Sequence, residues 1–182
     1  MLEVHVLRVR AATVALGSLA LVVSSLVWAP AGQAGTGGFE AVTCVGNAHG
    51  RYDPPLTLRP QETRIHADVR YICTTAPGHT VPATGSFDAV APTASCLSLS
   101  DAGGTETIRY EDGGRSVIVI DGATARVVGL ADAQQSGRVA EGRGEGHFVR
   151  RTVTSSSRQS PTDCLASGLQ GTQSAVQLEI LP

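Results

Sequence analysis

The chain has 182 residues, 42% apolar and 16% charged side chains, and a formal charge of −2. That balance excludes a disordered polar chain and leaves no long-range field to draw in nucleic acid or an anionic membrane. One domain-sized core is expected. All basic side chains are arginine, a pattern that points to a GC-rich bacterial genome.

The chain opens with Arg8 and Arg10, an apolar run from Ala11 to Ala29, and the small-residue segment "PAGQAGTGG". This order of basic, apolar and small segments predicts a secretory signal peptide over 1–34, cleaved after Ala34, with Ala31 the competing position. A retained anchor is the alternative, because about 20 apolar residues can span a bilayer. Residues 35–182 are then expected to form a single secreted domain with no membrane association once the signal is removed.

Cys44, Cys73, Cys96 and Cys164 all follow the expected cut. An even cysteine number in an exported chain predicts two disulfides. Three pairings are possible. Cys44 with Cys73 and Cys96 with Cys164 is preferred, because each links segments that read as strands and the two bridges do not cross. No C-x-x-C motif occurs and no histidine stands at metal-ligand spacing from a cysteine, so no metal or other cofactor is expected.

The mature part shows a two-residue period in several places and a sustained helical period nowhere. "FEAVTCV", 39–45, reads as a first strand, and "YDPPLTLRP" as an extended, proline-bounded connection. In "TRIHADVRYIC", 63–73, the residues Ile65, Ala67, Val69, Tyr71 and Cys73 fall on one face and Arg64, His66, Asp68 and Arg70 on the other. The charged row could hold an anion or a His–Asp pair. The simpler expectation is a solvated face that discourages edge pairing. Segment 74–83, "TTAPGHTVPA", is the best candidate for an exposed inhibitory loop. Strands are expected at 83–90 and 93–99. Residues 105–130 form a meander broken at Asp112-Gly113 and Asp121-Gly122, with Val117 to Ile120 covered on both faces. "SGRVAEGRGEG" reads as a loop or irregular edge, and Arg143, with Arg150 and Arg151, as a possible anion or polysaccharide contact offset by Glu141 and Glu145. "HFVRRTVT" resumes the alternation with Val149 and Val153 inward. "SSSRQSP" reads as a linker, and 175–181 as the last strand.

The sum is an all-β domain, an antiparallel β-sandwich or partly closed barrel of about eight strands, stapled by two disulfides. No nucleophile elbow, H-E-x-x-H, P-loop or dinucleotide motif occurs, so no catalytic residue is assigned and no enzyme is expected. The four histidines beyond the signal segment, His49, His66, His79 and His147, stand apart from one another. With six scattered aromatics in the mature part, stacking platforms for sugars or single strands are disfavoured.

The combination of "PPLTLRP", "TASCL", "YEDGG" and "DCLASGLQGTQSAVQLEI", behind a signal peptide and with four cysteines so placed, resembles uncharacterised small secreted four-cysteine β proteins of Streptomyces-like actinobacteria. The resemblance implies a secreted, disulfide-bridged β domain and brings no active residue with it. The expected role is a non-catalytic binding or cell-envelope accessory protein, its partner a cell-envelope polymer or another secreted protein. An extracellular protease inhibitor or hydrolase is the competing expectation.

Overall fold

Alternation of inward and outward side chains builds long strands, and the computed structural model describes them for residues 39–126, 131–155 and 162–182. The signal segment with its cleavage positions Ala31 and Ala34, and all of "SSSRQSP" after Ser155, lie outside the described residues. The elements are β1 (Val42–Leu56), β2 (Gln61–Ala76), β3 (His79–Ala94), β4 (Ser98–Ser100), β5 (Gly103–Tyr110), β6 (Arg115–Arg126), β7 (Ala131–Gly142), β8 (Phe148–Ser155), α1 (Asp163–Ala166) and β9 (Leu169–Leu181).

Eight of the nine described strands form an up-and-down antiparallel barrel in the order β1-β2-β3-β5-β6-β7-β8-β9. β9 closes it by pairing with β1, Val42 opposite Ile180 and Gly46 opposite Val176. Closure decides between the sandwich and the barrel expected from the sequence, and it removes every long edge. The short β4 pairs with the ends of β3 and β6 where both run past β5. A barrel of eight strands is just wide enough to be filled by side chains or to hold one small ligand.

Several local expectations change. The proline-rich stretch contributes its first half to β1, leaving only residues 57–60 as the connection. Segment 74–83 is strand on both sides of a tight turn at Pro77 and Gly78, whose φ of 75° suits glycine. No loop protrudes there. Segment 93–99 supplies only the end of β3 and the start of β4. The Asp112-Gly113 turn is present, but Asp121-Gly122 lies inside β6, where the ladder to β7 slips between Ile120 and Gly122. A bulge there takes the place of a turn. Ser136 to Gly142, read as loop, belongs to β7. Val119 is exposed, because the single-layer wall leaves the outside of β6 to solvent.

The wall is apolar inside and charged outside: along β2, Glu62, Arg64, Asp68 and Arg70 all face solvent. A membrane barrel carries the opposite arrangement, an apolar outer belt. No described helix is long and apolar enough to cross a membrane. Inside, Val42, Val69, Ile108, Ile118, Val139, Val149, Leu178 and Ile180 fill the half nearer the tight turns. At the other end Leu56, Ala94, Leu99, Ala102 and Leu169 make a second apolar cluster.

Both disulfides pair as expected. Cys44–Cys73 joins directly opposed residues of β1 and β2, and Cys96–Cys164 ties the β3–β4 connection to α1. The bonds close separations of 29 and 68 residues. Loop-closure entropy gives about 3.6 and about 4.4 kcal/mol respectively as upper figures. Replacing Cys96 and Cys164 together by alanine should therefore lower the urea midpoint more than replacing Cys44 and Cys73 together, and the untreated protein should show no reactive thiol in unfolded-state titration.

Candidate functional site

The barrel interior changes character along its axis. Midway, three strands place polar side chains among apolar ones. Glu106 of β5 and Arg151 of β8 are almost wholly buried, and Gln135 of β7 lies beside Arg151. Tyr71 donates its hydroxyl proton to Glu106 Oε1 at 2.8 Å. Arg151 Nη1 donates to Gln135 Oε1, and the guanidinium stands 4.9 Å from the Phe87 ring centre. Arg151 Nε lies 3.0 Å from Glu106 Oε2. That contact is an ion pair too bent to be a hydrogen bond, so both atoms keep hydrogen-bonding capacity unspent.

Space for this layer comes from Gly85 of β3. A Cβ there would stand 2.8 Å from Glu106 Oε1 and 2.9 Å from Tyr71 Cε2. Any side chain at 85 would push the Tyr71–Glu106 hydrogen bond apart.

Burial drives the Tyr71 pKa far above the ordinary phenol value, helped by the neighbouring Glu106 charge. Burial disfavours the charge on Arg151, but the Glu106 carboxylate and the Tyr71 contact outweigh it and hold the guanidinium protonated. The layer therefore carries one positive and one negative charge that cancel.

Beyond it, toward the end with the longer connections, the small inward residues Ala48, Gly50, Ala67, Ala123, Ala133, Ser155 and Ser174 stand beside the larger Tyr52, Ile65 and Val153. The result is a cavity of about 90 Å³ with a mostly apolar lining. Arg151, Gln135 and Phe87 form its floor, and Leu99, Ala102 and Leu169 lie at its outer end. Ser155 and Ser174 hydrogen-bond each other at 2.8 Å across the β8–β9 wall. Burial raises the Tyr52 pKa, and the neighbouring Thr172 opposes that rise.

The charged row noted in the sequence lies outside. His66 Nδ1 donates to Asp88 Oδ1 at 2.8 Å, and Asp68 Oδ1 is 3.6 Å from Nε2. His66 and Asp88 share a broad, open depression with Arg51, Asp53 and Arg64. His79 instead meets Thr75, and His147 meets the Leu181 carbonyl and the Phe39 ring. Among the described residues no group of three or more His, Cys, Asp or Glu side chains converges on a metal position. The arginines grouped as an anion contact are separated: Arg143 pairs with Asp112, Arg150 points outward near Glu179, and Arg151 points into the barrel. Sequence analysis does not single out Glu106, Gln135 or the floor role of Arg151. The signal was parity, since Arg151 sits between the inward Val149 and Val153.

Compared with protein-family models, curated proteins and solved structures, the chain finds no match.

Removing one partner of a buried pair strands the other charge, at a cost of about 3–5 kcal/mol. Arg151→Leu and Glu106→Leu should each destabilise by that order, whereas the double variant should recover most of the loss. Urea unfolding of the four proteins measures this coupling. The hydrogen bond to Asp88 raises the His66 pKa above 6.5, against partial burial and with help from the charges of Asp88 and Asp68. A folded pKa above the unfolded one gives stability that is complete below about pH 6.5 and fades as pH rises through the folded value. NMR titration should place the His66 midpoint above 6.5, and Asp88→Asn should bring it back down.

Proposed function

We propose that the chain is an exported, non-catalytic binding protein whose barrel holds a small, largely apolar molecule. One observation carries this reading: small inward residues leave an apolar cavity above a buried polar floor inside an otherwise filled barrel. Ligand sites are commonly apolar hollows with a few placed polar groups, and the mouths of β-barrels are among their usual locations. The two disulfides support an oxidising, extracellular destination, and the basic-apolar-small order of residues 1–34 supports a cleaved signal peptide.

The interior position of the cavity favours a small molecule over the polymer or protein partner expected from the sequence. The inhibitor reading loses its structural basis, since the loop it needs is two residues of turn between β2 and β3. His66 and Asp88 make a hydrogen-bonded pair on the open outer wall, and we assign them to the solvated surface.

Ala67 is buried and lines the cavity. Ala67→Phe should fill the space, abolish uptake of small apolar probes seen by ligand-observed NMR, and leave the far-ultraviolet circular dichroism unchanged. Probe binding that survived the substitution would place the site elsewhere.

A further inference from the structure

Resting on that reading, we infer that the ligand is uncharged and carries a single hydrogen-bond-accepting oxygen, which it directs to Arg151 on the cavity floor. Four features lead there. Ser155 and Ser174 on the wall are already matched with each other, so that side presents itself to a ligand as apolar surface. Arg151 lines the floor of the cavity, with Nη1 given to Gln135 and Nε turned to Glu106 in an ion pair.

Arginine has donors only, so the complementary group on the ligand is an acceptor. The guanidinium charge is already met by Glu106 at 3.0 Å. A carboxylate ligand would leave the buried layer with one net negative charge, and an ammonium ligand with one net positive charge. Either is costly away from water. A ketone, ester, ether or alcohol oxygen adds no charge and can accept from the guanidinium. Size narrows the class further. At about 90 Å³ the hollow is smaller than the ~150 Å³ apolar cavity that takes up benzene, so it fits one small ring or a short branched chain.

The test compares cyclopentanone, cyclopentanol, methylcyclopentane, cyclopentanecarboxylate and cyclopentylammonium at pH 7, titrated into isotopically labelled full-length mature protein. Chemical-shift changes at Ala48, Ala67 and Ser174 report occupancy. Cyclopentanone or cyclopentanol should bind at least tenfold more tightly than either charged probe, and more tightly than the hydrocarbon. Equal or tighter binding of the carboxylate or the ammonium would overturn the charge argument. Equal binding of methylcyclopentane would overturn the accepting oxygen while leaving the apolar cavity in place. No shift with any probe would remove the cavity as a ligand site and this inference with it. Glu106→Gln gives an independent check, because it leaves the Arg151 charge unmatched: preference should move toward cyclopentanecarboxylate by tenfold or more. Unchanged selectivity in a variant with native circular dichroism would count against the charge-balance argument. Should that variant not fold, the five-probe comparison on the unaltered protein still decides.

Discussion

Closure of the hydrogen-bond ladder between β9 and β1 is the constraint from which the rest follows. Once Cys44 stands opposite both Cys73 and Leu178, the sheet has no long free edge and every strand must send alternate side chains into one shared interior. That interior can neither expand nor drain through an edge. Its contents are set by the inward residue at each level: large aliphatic side chains near the tight turns, a charged layer midway, and mostly alanine, glycine and serine beyond it, with Tyr52, Ile65 and Val153 among them. The first disulfide lies within the filled half. The second joins the longer connections at the other end, where tight turns do not hold the strands in place.

The charged layer needs a physical account, because apolar residues of similar volume would usually stabilise such a position as well or better. Glu106 is supported by the Tyr71 hydroxyl and by Arg151, while Arg151 is supported by Glu106, Gln135 and the face of Phe87. These partners come from five strands, β2, β3, β5, β7 and β8, so the network is complete only when the barrel is in register. It thus favours one register over its slipped alternatives, even where it adds little net stability.

Much of this frame was legible because β structure writes itself in parity. The face Ile65, Ala67, Val69, Tyr71 and Cys73 is inward as the alternation says, and the Cys44–Cys73 pairing follows from strands that lie side by side, whereas Cys96 and Cys164 both lie outside the strands expected to hold them. The same rule, applied without regard to residue type, would also have found the polar layer. Glu106 shares parity with Ile108 and Tyr110, and Arg151 with Val149 and Val153. Charge biased the reading toward solvent, although a buried charge is ordinary when its partner is supplied by a distant strand. That partner was the illegible part: which β5 residue meets which β8 residue depends on barrel closure, and no local pattern encodes it. Glycine-rich "SGRVAEG" misled for a related reason. Gly137 lies so close to the Val119 carbonyl that a Cβ would stand 2.0 Å from it, so here glycine serves strand proximity, not a loop.

The cavity raises the question of whether it is a site or a packing fault, and magnitudes bear on it. An unfilled hollow costs about 24 cal/mol per Å³, so 90 Å³ amounts to roughly 2 kcal/mol, a large share of the net stability of a small domain. The defect has a simple local remedy, since one larger aliphatic residue at any of several alanine positions would occupy the space. A ligand present at about a hundred times its dissociation constant stabilises the folded state by about 2.7 kcal/mol, which matches the deficit. Under the proposed function the loss is confined to the empty protein, and the residues that leave the interior unfilled are the ones that would couple ligand concentration to stability.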